Sequence, residues 1–169
     1  MTELTPDLAL TVVRVAVGLV LAGHGAQKVF GAFQGPGLER WHGAVASMGF
    51  AQPRIMGTLA AFVELFGGLM LAAGFLTPIV AAALAIDMAV AIIKVHWSKG
   101  MWVTNGGYEY PLVLFVVLVM LGLARPAMYS LDEALGIGGG APLFIAVLAI
   151  GGVATAAAGM ATQGARRTA

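Results

Sequence analysis

Apolar residues in this chain arrive in long blocks instead of alternating with polar ones. Leu8 to Phe30, Ile55 to Phe75 and Pro78 to Trp97 are blocks of 20 to 23 residues broken by only one or two charges each. A helix rising ~1.5 Å per residue needs about 20 residues to cross a ~30 Å hydrocarbon layer, so each block reads as a transmembrane helix. A fourth block, Tyr110 to Ala124, has only fifteen uncharged residues. That is about 22 Å of helix, so a crossing here has to begin near Gly106. Such a start takes Glu109 into the bilayer edge and leaves Pro111 in the first turn, where its missing N–H costs little. A glycine linker, Gly136 to Gly140, leads to a fifth block, Ala141 to Ala161, and then to a short basic tail at 162–169. The predicted fold is all-α: a polytopic membrane helix bundle with a four-helix core over residues 1–135 and a fifth, C-terminal transmembrane helix.

Two shorter patterns lie between the blocks. Leu38, Trp41, Val45 and Met48 recur at three-and-four spacing, with Glu39, Arg40, His42 and Ser47 on other faces. This predicts an amphipathic helix near 37–48, opened after Pro36, stopped at Gly49 and lying in the membrane interface. Ser130-Leu131-Asp132-Glu133 has the form of a capping box and predicts one turn of helix ending at Gly136.

Composition agrees with the membrane reading. Hydrophobic residues make up 60% of the 169 and charged residues 10%, and mean hydropathy is +0.93. A soluble domain carries about a quarter charged residues. The absence of cysteine excludes thiolate nucleophiles, disulfide exchange and iron–sulfur ligation by this chain. A net charge of +1 offers no field for nucleic acid. The segment before the first block, MTELTPDLAL, is acidic where a signal peptide is basic, so that block is expected to stay in the mature protein.

Lys and Arg are unevenly spread. With five crossings, the side carrying the N-terminus, the 76–78 turn and the 125–140 linker holds only Arg125. The other side holds Lys28, Arg40, Arg54, Lys94, Lys99, Arg166 and Arg167. The positive-inside rule then predicts a bacterial inner (plasma) membrane protein with its N-terminus outside and its C-terminus in the cytoplasm.

Ionisable residues inside the blocks are the candidate chemistry. Each costs about 2.5–3.5 kcal/mol at mid-bilayer unless it finds a partner or water. Arg14, Lys28, Glu64, Asp87, Lys94 and Glu109 balance in charge and suggest pairing inside the bundle. Glu64 and Asp87 are each tenth in their block, and Arg14 lies about 9 Å into the first. This predicts a mid-depth layer of Arg14, Glu64 and Asp87. A second layer, His24, Lys28, Lys94 and Glu109, falls toward the cytoplasm, with Asn105 and His96 at its boundary. Arg14, Gly18, Leu21, Gly25 and Lys28 share one face of the first helix, and its small residues let a neighbour approach closely. A functional site and a purely structural ion-pair network are both open readings. Lys28 and Lys94 can instead snorkel, Glu109 can be simply interfacial, and His24 can be a proton relay or a core histidine. Trp97, Trp102 and Tyr108 read as an aromatic belt. His24, His42 and His96 lack metal-ligand spacing, and no nucleotide-binding fingerprint or Ser–His–Asp arrangement occurs.

The chain resembles the DoxX family of small membrane proteins over roughly Leu10 to Leu135. The likeness rests on Arg14-Val15-Ala16-Val17-Gly18 with Gly23-His24-Gly25-Ala26-Gln27-Lys28, and on Glu64-Leu65-Phe66-Gly67-Gly68 with Leu71 and Gly74. It continues through Asn105-Gly106-Gly107-Tyr108-Glu109-Tyr110 and Tyr129-Ser130-Leu131-Asp132. The fifth helix departs from the family's four-helix core. The resemblance implies a link to membrane oxidoreductase systems: relatives include a subunit of a thiosulfate:quinone oxidoreductase, and mycobacterial members are linked to an oxidative-stress complex with superoxide dismutase and a sulfurtransferase. It marks Arg14, Lys28, Glu64 and Glu109 as family positions. The expectation is a redox-associated, quinone-linked or oxidative-stress membrane subunit or anchor, not a complete enzyme by itself. A soluble or membrane redox protein, or a second copy of the chain, would be its partner, and a quinone its cofactor. Small-solute or proton transport, and a non-catalytic scaffold, are the alternatives.

Overall fold

A computed structural model describes residues 6–50 and 52–167, with side chains placed up to Ala156 except at 51. All regular structure among the described residues is helical. Seven helices follow in order: α1 (Pro6–Phe30), α2 (Gly37–Ser47), α3 (Pro53–Ala73), α4 (Thr77–Lys99), α5 (Glu109–Leu123), α6 (Leu131–Ala134) and α7 (Gly140–Arg167). Three of these, α1, α3 and α4, are long and apolar enough to cross a membrane, while α5 and α7 are shorter apolar helices over their described residues. A membrane bundle is therefore present, whereas the four-plus-one count of crossings goes beyond those three.

Close backbone approach sets the central pairing. The buried face of α1 is Arg14, Gly18, Leu21, Ala22 and Gly25, which is the small-residue stripe read from the sequence. A Cβ on Gly18 would lie 2.5 Å from the Ala72 nitrogen, and one on Gly68 would lie 2.6 Å from the Gly18 oxygen. In lipid, association depends on such packing, because hydrocarbon tails are as apolar as leucine. The glycines therefore fix the register of α1 against antiparallel α3. Alanines on α4 (Ala81, Ala82, Ala85) and Leu114, Leu118 and Leu121 of α5 complete the core.

α3 ends at Gly74, whose φ of +67° suits glycine, and the chain turns through Leu76, also left-handed at φ +51°. Asp132, 1% exposed, secures that turn by accepting the Leu76 and Thr77 N–H groups at 2.7 and 2.8 Å. The capping pattern forms as expected, with the Ser130 hydroxyl accepting from the Glu133 N–H at 3.1 Å.

Two expectations need correction. Helix α5 starts at Glu109, not near Gly106, because 97–108 folds into a tight connection. There His96 Nδ1 meets the Gly106 carbonyl at 2.6 Å, and Trp97 stacks on Tyr108 at 5.3 Å. The C-terminal helix, expected as an addition to the four-helix core, also contributes to that core. It packs on α4 and α5 and buries Phe144, 1% exposed, against Gly122.

Candidate functional site

The structure sorts the polar residues into two ends separated by an apolar plug. Arg14 and Lys28 lie ~21 Å apart along α1. Between them Leu21, Leu71, Leu84 and Leu118 have no exposed surface.

At the first end Arg14, 4% exposed, donates to two backbone carbonyls, Leu71 at 3.1 Å and Tyr129 at 2.7 Å. Asp132 is the carboxylate whose field reaches it. Arg125 meets both Asp7 carboxylate oxygens at 2.8 and 2.9 Å, joining the start of α1 to the segment after α5. The expected layer of Arg14 with Glu64 and Asp87 therefore does not form. Depth counted from block ends misplaced it, because the glycine contacts slide α3 so that its opening turns overrun α1 and lie against α2. Glu64 then stands opposite Lys28, and Arg14 stands opposite the end of α3.

At the second end Lys28, Glu64 and Asp87 come together. Lys28 Nζ forms an ion pair with Glu64 Oε2, and Glu64 is 3% exposed. Asp87 of α4 lines the same cavity as Lys28 and Glu64. Lys28 also lies 4.4 Å from the centre of the Trp41 ring, a cation–π distance. Glu64 sits in a π-helical turn, Val63–Gly67, and a second such turn, Ile92–His96, follows Asp87 on α4. Single π turns inside α-helices are frequent at functional sites.

These groups form one wall of a cavity of about 250 Å³. Its other walls are apolar: Val45 and Met48 of α2, Leu59 and Val63 of α3, and Ile86 and Val90 of α4, with Thr155 of α7 at one side. The amphipathic helix α2 therefore turns its apolar face onto the bundle and covers this cavity. Two bonds fasten it, Trp41 Nε1 donating to the Gly57 carbonyl at 2.8 Å and His42 Nε2 meeting the Thr58 hydroxyl at 2.9 Å.

The other sequence candidates lie apart from the cluster. His24, one turn before Lys28, shares a hydrogen bond with the Tyr110 hydroxyl at 3.2 Å. Lys94 is exposed, with its amine 5.8 Å from the Phe50 ring. Glu109 closes its own loop by accepting the Val103 N–H at 2.9 Å, and Asn105 is exposed at the tip of that loop. The expected second layer thus loses His24, Lys94 and Glu109 and gains Glu64 and Asp87. Sequence reasoning missed two participants, Trp41 and Asp132. Trp41 was legible as an apolar-face residue of an amphipathic helix, and Asp132 as a member of a capping pattern. Nothing in the sequence announced their partners or the π turns. Among the described residues no group of three or more His, Cys, Asp or Glu side chains is placed to hold a metal ion.

An all-helical bundle with apolar outer faces and charged groups turned inward is an integral membrane protein. The DoxX family model matches residues 9–97, more than half of the chain, and the protein belongs to that family. The match takes in Arg14, Lys28, Glu64 and Asp87 and ends before the Asn105–Tyr110 and Tyr129–Asp132 segments. No curated protein and no solved structure matches the chain.

Proposed function

We propose that this protein is the quinone-binding subunit or anchor of a membrane redox system, with the Lys28–Glu64–Asp87 cavity as its ligand site. The observation that carries this reading is a small apolar cavity with one cationic donor and two carboxyls on a single wall. Ligand sites commonly combine apolar walls with a few convergent polar groups. A quinone head is a flat apolar ring with oxygens at its edge, and its reduction takes up two electrons and two protons. Lys28 supplies a hydrogen bond to a carbonyl oxygen, and the carboxyls of Glu64 and Asp87 line the same cavity, where they can pass protons to the ring. A volume of about 250 Å³ suits one ring, with an isoprenoid tail left in the lipid. The chain has no cysteine, so electrons come from a partner protein. The Lys/Arg bias puts the cavity end at the cytoplasmic face of the inner membrane, where such a partner meets it.

The leucine plug between the two polar ends favours a site served from one side over a path for solutes or protons through the bundle. Purification in mild detergent, followed by mass spectrometry of retained proteins and lipids and by duroquinone titration, tests the reading. Saturable duroquinone binding that weakens roughly tenfold or more in Lys28→Met supports it. A ligand-free protein that binds no quinone, or binds equally well without Lys28, removes it.

A further inference from the structure

Trp41 occupies an unusual position on the cavity wall. Its ring face carries Lys28 at 4.4 Å, while its indole N–H is held by the Gly57 carbonyl at 2.8 Å. Lys28 is already neutralised by Glu64, so the cation–π contact is its second engagement, not its only one. The ring is thus fixed in orientation by one bond and covered by a long, jointed side chain that has another partner to keep it in place. Apart from Phe50 and Thr155, the remaining cavity walls are non-aromatic and apolar, and such walls do not distinguish a flat ring from a puckered one.

We infer that Trp41 is the specificity-determining residue of this site: its indole face stacks on a planar ring, and Lys28 moves from that face to the ring's carbonyl oxygen. The inference rests on the quinone reading and adds what selects for the ring itself. Offset stacking adds attraction beyond mere burial, and a saturated ring has no π system to supply it. The lysine's exchange of partners also ties the two contacts together, since the ring that covers Trp41 is the one whose oxygen receives Lys28. Gly31, Phe33 and Gln34 before α2, Gly37 at its first position and Gly49 after it all have positive φ, so the helix is joined at both ends by turns and not by continuous helix.

The full-length protein in detergent is titrated with two probes, duroquinone and tetramethylcyclohexanedione, which share their substituents but differ in ring planarity. The intact protein is expected to prefer duroquinone by roughly tenfold. Trp41→Leu is expected to abolish that preference while still binding both probes. Trp41→Phe, which keeps a ring and loses only the Gly57 bond, is expected to retain it. In a Trp97→Phe/Trp102→Phe background Trp41 is the remaining tryptophan, and duroquinone is expected to quench its fluorescence with the same saturation as binding. A flat-ring preference that survives in Trp41→Leu, or saturating duroquinone that leaves Trp41 unquenched, overturns the inference and leaves quinone binding standing. Binding of neither probe by the intact protein overturns both.

Discussion

The two polar ends of the bundle use similar residues in opposite ways. At the Arg14 end the two most deeply buried charges, Arg14 and Asp132, bind backbone. The guanidinium takes two carbonyls, Asp132 takes two N–H groups, and the gap beside them is only about 20 Å³. At the Lys28 end Lys28 and Glu64 bind each other beside Asp87, and about 250 Å³ of space lies against them. Charges that terminate on backbone hold a fold together, because removing one strands several groups in a place that water does not reach. Charges that pair with side chains beside an open space can exchange partners, which a ligand site requires. A buried ion pair alone does not reveal which role it has; the room around it does.

The contrast can be broken most sharply at Asp132. Asp132→Ala leaves the Leu76 and Thr77 N–H groups and the nearby Arg14 charge uncompensated, with an expected cost of about 3–5 kcal/mol. Thermal denaturation in detergent, followed by circular dichroism, measures this. A melting temperature equal to that of the intact protein would show that the Arg14 end is not a structural staple. Lys28→Met comes next and acts on a different observable. Duroquinone affinity is expected to fall roughly ten- to a hundredfold, the worth of one hydrogen bond to a charged group, while the melting temperature falls less than in Asp132→Ala. Combining Lys28→Met with Glu64→Gln is expected to recover part of that stability loss and none of the binding. Recovery of binding in the double variant would make the pair a structural element like Arg14. Glu109→Ala removes one backbone partner in the 97–108 connection, at about 1 kcal/mol, with no change in duroquinone affinity. A binding loss there would extend the site into this loop. Smallest is Asn105→Ala, expected to shift stability by no more than about 0.5 kcal/mol and to leave binding unchanged.

Much of the architecture was legible because it depends on local rules. Block length and hydropathy predict the membrane helices, and the three-and-four spacing of Arg14, Gly18, Leu21, Gly25 and Lys28 predicts the buried face of α1. The 37–48 periodicity and the Ser130 capping pattern likewise require only neighbours in sequence. The candidate site was legible as a set of residue types but not as a set of partners. Lys28, Glu64 and Asp87 stood out as costly intramembrane charges, yet Arg14 was expected to be the counter-ion of the carboxylates. Lys94 and Glu109 were expected in a layer that they do not join.

By itself the sequence determined that this chain is a helical membrane protein of the DoxX family, which face of α1 is buried, and which ionisable residues need a partner. Only the tertiary structure decided who pairs with whom. The register of α1 on α3 is set by glycine contacts between backbones, and a shift of a few residues along a helix moves a charge from one partner to another. The same contact geometry turned α2 onto the bundle, brought Trp41 over Lys28, and left a cavity beside one polar cluster but almost none beside the other. Spacing along a chain carries the period of a helix. It carries no information about how far one helix slides along the next.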